Sequence, residues 1–177
     1  NGIEGTFEAD MFSISSPFNY AEQTKVFVVT DIDKNNQEQI ASAYRELFLA
    51  SGGGALGIFT SIQRLKTTHA NIIEKLEENN LRLYAQHIDP IDIASLIDIF
   101  KDEENACLLG TDATRDGIDV PGKALRLVVY DRVPWPKPTL LHKARRNYFG
   151  KDYDDMLTRF KIKQAYGRLI RQQEDKG

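Results

Sequence analysis

Short apolar runs alternate with stretches of helical periodicity along most of this 177-residue chain, and no other feature constrains its fold as tightly. Strands are predicted at residues 13–16, 26–30, 56–60, 81–86, 107–110 and 125–130, and helices at 37–49, 61–78, 90–100 and 153–173. In the first of these helices Ile40, Ala43, Tyr44, Leu47 and Phe48 recur at three- and four-residue spacing, and Gly52-Gly53-Gly54 stops it. The strands are apolar without polar alternation, so they are expected to be buried on both faces. Linked by helices, they predict a doubly wound, mainly parallel α/β sheet flanked by helices with right-handed crossovers. The length suits one domain, residues 1–177, with a core of its own.

Composition removes several classes of function. No apolar run approaches the roughly 20 residues of a membrane helix, and residues 1–12 lack the basic end and apolar stretch of a signal peptide, so a soluble, cytoplasmic protein without membrane partners is expected. A single cysteine, Cys107, cannot form an internal disulfide or a multi-cysteine metal centre. His69, His87 and His142 fall on separate predicted elements, and no metal site is expected. Gly52 to Gly57 formally spells GxGxxG, but it closes a helix and enters a strand, the reverse of a dinucleotide fingerprint. Ile58 stands where a phosphate-cradling lysine would be needed. Asp31-Ile32-Asp33-Lys34-Asn35 begins like a calcium loop, yet Asn36 replaces the glycine and Ser42 the bidentate glutamate that such a loop requires, so a solvated turn is expected. The chain starts at Asn1 rather than Met and stops at Gly177 inside a motif, so a piece of a longer protein is expected.

Two features point towards phosphates. Residues 1–114 hold 8 Lys and Arg against 18 Asp and Glu, whereas residues 115–177 hold 15 against 8, so a charge of −10 is followed by one of +7. Parallel sheets bind ligands beyond the carboxyl ends of their strands. The residues there are Thr60-Ser61, His87 to Asp89, Thr111 to Gly122 and Asp131 to Pro138. In the last predicted helix Gln164, Arg168 and Arg171 stand at i, i+4 and i+7, an amide and two guanidinium forks on one stripe suited to phosphate oxygens. Gly167, costly inside a helix, implies close approach of a backbone or ligand.

The run Gln164-Ala165-Tyr166-Gly167-Arg168-Leu169-Ile170-Arg171, followed by Asp175-Lys176-Gly177, resembles motif VI of the DinG/XPD-like superfamily 2 helicases. Asp116-Gly117-Ile118-Asp119-Val120-Pro121-Gly122, with the predicted strand at 125–130 and then Val133-Pro134-Trp135-Pro136-Lys137-Pro138, resembles motif V and the proline-rich loop after it. Ile58-Phe59-Thr60-Ser61 resembles motif IV, and Ser16-Pro17-Phe18-Asn19-Tyr20 is similar to the entry of the second motor domain in the DinG branch.

This resemblance implies a RecA-like second motor domain of an ATP-dependent helicase that moves 5′ to 3′ on single-stranded DNA. ATP and Mg2+ would be held mainly by a first motor domain of the same polypeptide, the natural partner of this one. The iron–sulfur cluster of many relatives belongs to that first domain and is not expected in this chain. Carried over by position, Arg171 and Arg168 would contact the γ-phosphate with support from Gln164. Gly117, Asp119 and Gly167 would line the nucleotide cleft. Thr60, Ser61, Arg115 and Trp135 would meet DNA. Arg115 replaces the aromatic residue that often precedes the acid of motif V, so a stacking role is not implied there. Such a protein would work in a bacterial cytoplasm, at the nucleoid. The competing reading is a non-catalytic nucleic-acid or protein-binding module on a RecA-like fold.

Overall fold

The computed structural model describes residues 19–111, 114 and 124–170. Four parallel strands form one sheet: β1 (Ala55–Phe59), β2 (Arg82–Ala85), β3 (Ala106–Thr111) and β4 (Leu127–Tyr130), in the order β2-β3-β1-β4. The described helices are α1 (Tyr20–Gln23), α2 (Gln37–Ser51), α3 (Ile62–Glu78), α4 (Ile93–Asp102), α5 (Leu140–Phe149) and α6 (Tyr153–Leu169). β1 pairs Ala55 with Cys107 and Phe59 with Thr111 on one side, and Ala55 with Leu127 on the other. The chain thus runs from β1 out to the edge strand β2, back to β3 and then across β1 to β4.

Alternate residues of each strand feed two cores. Ala55, Phe59, Leu83, Ala85, Cys107 and Leu109 pack with Tyr44 and Phe48 of α2 and Leu65, Ile72 and Leu76 of α3. Leu56, Ile58, Ala106 and Leu108 pack on the other face with Leu96, Ile97 and Phe100 of α4 and with Leu169 and Ile170 at the end of α6. Helices cover both faces, as a doubly wound sheet requires.

The helix boundaries have local causes. The Asn36 side chain accepts from the amides of Glu38 and Gln39 and starts α2, and Asp92 does the same for α4 through Ala94 and Ser95. Gly52 ends α2 in the left-handed region at φ 64°, so the glycine run is a helix stop and strand entry. At Gly53 a Cβ would come within 2.6 Å of the Glu104 carbonyl, so only glycine lets the chain pass β3 there. Arg126 donates to the carbonyls of Ser51, Gly52 and Glu104, tying the end of α2 to the start of β4.

Two expectations change, and one helix was not predicted. Residues 26–30 read as a strand, yet they pair with none of the four strands, and Val26, Phe27 and Val28 are exposed. Branched and aromatic side chains favour extended backbone, but a strand needs a hydrogen-bonded neighbour. α5 lies where no element was predicted: Thr139 accepts from the His142 amide and starts a helix with no buried residue, its Leu140, Leu141, Tyr148 and Phe149 all exposed. α6 ends at Leu169 with Ile170 extended at φ −116° and ψ 109°, short of the predicted residue 173. The predicted strand at 13–16 lies outside the described residues.

Candidate functional site

All four strands run the same way, so their carboxyl ends share one edge, and side chains from the loops there bond to each other. Asp131 follows β4 directly. Its amide donates to the Ile58 carbonyl at 3.1 Å, extending the β1–β4 pairing by one residue. Its carboxylate is fully buried and accepts from the Thr60 amide at 3.0 Å, the Thr60 hydroxyl at 3.3 Å and Arg64 Nε at 2.7 Å. The Arg64 terminal nitrogens and Arg132 donate to the Lys34 carbonyl, so the turn before α2 joins the same cluster. Tyr44 lies beneath it, stacked on Phe59 with ring centroids 4.8 Å apart, and its hydroxyl donates to the Val129 carbonyl at 3.3 Å. Burial, and then the Asp131 charge, push the Tyr44 hydroxyl well above the usual phenol range.

A second cluster closes the other half of the edge. The Gln86 side-chain oxygen, just past β2, accepts from the Thr111 amide at 3.0 Å and from the hydroxyls of Thr111 and Thr114 at 2.9 Å. Thr114 is buried, and a Cβ on Gly110 would collide with it. The end of β3 is thus pinned where the chain enters residues 115–123. In the loop after β2, His87 takes φ 69° and the Asp89 carboxylate accepts from the Ala85 amide at 2.7 Å.

Several sequence-predicted residues can be located. Thr60 is exposed but hydrogen-bonded to Asp131, and Ser61 occupies the N-cap position of α3 without making a capping bond. The Trp135 ring is 55% exposed, so it is not wedged into the domain. Gln164 is exposed on α6, and Arg168 stands one turn further on the same helix. Among the described residues nothing lies within 4 Å of where a Cβ on Gly167 would stand, so no close approach by them explains that glycine. Gly117, Asp119, Arg115 and Arg171 lie outside the described residues.

Arg64 and Gln86 carry much of this edge and did not stand out in the sequence. Arg64 reads as an ordinary helix-surface cation, and Gln86 as the end of a strand. Asp131 was legible only as the first polar residue after an apolar run. Among the described residues no three His, Cys, Asp or Glu side chains stand together as metal ligands, and no helix is long and apolar enough to cross a membrane.

Residues 44–177, which include this edge and the motif V and VI segments, match the helicase C-terminal domain family. The chain belongs to that family. Its α/β sheet is the RecA-like fold of a DinG-like helicase C-terminal domain. It is similar to the ATP-dependent helicase DinG of Mycobacterium tuberculosis H37Rv, 28% identical over 177 residues that cover 93% of this chain and 26% of that protein. It is likewise similar to the ATP-dependent DNA helicase YoaA of Escherichia coli K12, 28% identical over 99% of this chain and 28% of the relative. A third relative, from Bacillus subtilis 168, bears the name 3′-5′ exonuclease DinG and is 28% identical over 99% of this chain and 22% of its own length. The chain spans about a quarter of the length of these curated relatives.

Proposed function

We propose that this helicase C-terminal domain is the second motor of an ATP-dependent DNA helicase that moves 5′ to 3′ along single-stranded DNA. The observation that carries this reading is the family match over residues 44–177, which takes in motifs IV, V and VI together. Its geometry fits the role: Thr60-Ser61, the entry to residues 115–123 and the loop after β4 all open from one sheet edge.

ATP is the substrate of such a motor. The donors this chain offers it are Gln164, Arg168 and Arg171 in motif VI, with Gly117, Asp119 and Gly167 beside them. Among the described residues nothing stands close to Gly167, which fits a place for a nucleotide or for the domain that carries it. The phosphate-binding lysine loop and the Mg2+ ligands come from the first motor domain. Arginines that reach the γ-phosphate favour the closed pair of domains only until hydrolysis removes that group, and this difference in affinity drives one step along DNA. Thr60, Ser61, Arg115 and Trp135 form this chain's part of the DNA track. Hydroxyls and cations hold the backbone and an indole stacks on a base, with no sequence read. The protein works in the cytoplasm, on DNA.

Strand displacement by the full-length parent tests the reading. ATP-dependent unwinding is expected of duplexes with a 5′ single-stranded tail and not of those with only a 3′ tail. No DNA-stimulated ATP turnover, or a requirement for the 3′ tail, overturns the motor or its polarity respectively.

A further inference from the structure

We infer that Asp131 is a positioning residue for the DNA track, and that of the two motif IV hydroxyls it leaves Ser61, not Thr60, to meet the DNA backbone. The inference rests on reading the end of β1 as part of that track. The carboxylate of Asp131 is fully buried, and all three of its donors come from residues 60–64: the Thr60 amide, the Thr60 hydroxyl and Arg64 Nε. A buried carboxylate is costly unless its oxygens are filled, so the loop must keep this shape to satisfy it. Asp131 is itself fixed, because its amide donates to Ile58. One residue thus sets both the end of the β1–β4 pairing and the turn into α3.

Donor counting separates the two hydroxyls. A threonine hydroxyl has one proton, and a phosphodiester oxygen can only accept. While Thr60 donates to Asp131 it has no proton for a phosphate. Ser61 sits at the N-cap of α3, and among the described residues its hydroxyl donates to no acceptor, so its proton is available to a phosphate; the first turn of α3 holds no acidic side chain to repel one. Arg64, whose guanidinium is committed to Asp131 and Lys34, acts in the latch and not as a strand contact.

The test uses the full-length parent. One readout is the oligothymidylate concentration that half-saturates ATP turnover, read separately from turnover at saturation. The other is amide hydrogen exchange at Thr60. Ser61→Ala is expected to raise the half-saturating concentration by roughly tenfold or more, the worth of one hydrogen bond to a charged group, and Thr60→Val by less. Asp131→Asn should raise it as much as Ser61→Ala, add little in the double variant, and speed exchange at Thr60 while Leu108 and Leu109 stay protected. In each case this concentration moves more than saturated turnover. Arg64→Lys, milder for folding, should shift both readouts the same way by less. A larger effect from Thr60→Val than from Ser61→Ala, full additivity of Asp131→Asn with Ser61→Ala, or unchanged exchange at Thr60 overturns the inference. If wild-type turnover ignores DNA altogether, the motor reading fails instead, and exchange at Thr60 alone decides whether the latch exists.

Discussion

Gln86 and Thr114 are joined by a 2.9 Å hydrogen bond from a buried hydroxyl to a side-chain amide oxygen, across 28 residues of sequence. The same oxygen serves both donors of Thr111. A glutamine after one strand thereby fixes the way out of the next, and the following residues include the motif V segment.

Removing that acceptor should be costly. Gln86→Leu leaves the Thr114 hydroxyl buried without this partner, and about 1–3 kcal/mol of stability should be lost. Thr114→Val in the same background removes the stranded hydroxyl, so the double variant should be more stable than the sum of the single losses predicts. Urea midpoints for the four chains measure the coupling. Simple additivity would show that the bond carries no weight.

Cys107 supplies a pH prediction. It lies fully buried in β3, and burial pushes its thiol up to about 12 from an ordinary 9.0. The fold therefore prefers the neutral thiol. Its contribution is fully present below pH 9 and is lost as pH climbs from 9 towards 12, by about 1.4 kcal/mol for each pH unit in that window. Cys107→Ala should be less stable at pH 8 because of its cavity, yet should lose less between pH 8 and pH 10.5 than the wild type does. Urea midpoints at the two pH values check this; parallel losses contradict it.

β1, β3 and β4 were legible because each is an apolar run bounded by polar or glycine residues, and the two-sided burial of Leu56, Gly57 and Ile58 leaves no alternation to confuse with an exposed strand, whereas the edge strand β2 carries exposed Arg82. Residues 26–30 misled for the same reason. Their composition matches a buried strand, but pairing is a property of neighbours and cannot be read from Val26 to Thr30 alone. α5 was hidden by the opposite circumstance, a helix without a buried face. At the edge, Thr60 and Ser61 were visible by motif. Their difference in hydrogen bonding depends on Asp131, 71 residues away, which no local pattern reports.

Charge gives a third prediction. Residues 115–177 carry 15 Lys and Arg against 8 Asp and Glu, so the chain should bind single strands weakly and with an affinity that falls as salt rises. Binding isotherms at several salt concentrations supply the slope. A flat response would argue against a surface that follows phosphates.

The last prediction separates the clamp from the track within the full-length parent. Arg171→Lys keeps the charge and loses the planar fork. If Arg171 stabilises the transferring phosphoryl group, ATP turnover should fall by roughly 10³-fold or more while DNA affinity hardly changes. Asp119→Asn should act differently: ATP still binds, but DNA stimulates hydrolysis less, because the cleft carboxylate links nucleotide state to the DNA-bound arrangement. If Arg171 acts only on the nucleotide, Arg171→Lys should leave the stability of the domain unchanged within about 0.5 kcal/mol. Turnover with and without oligothymidylate, DNA affinity and a urea midpoint for each variant decide the matter. Near-normal turnover in Arg171→Lys, or a loss of DNA binding as complete as the loss of turnover, rules out the arginine finger.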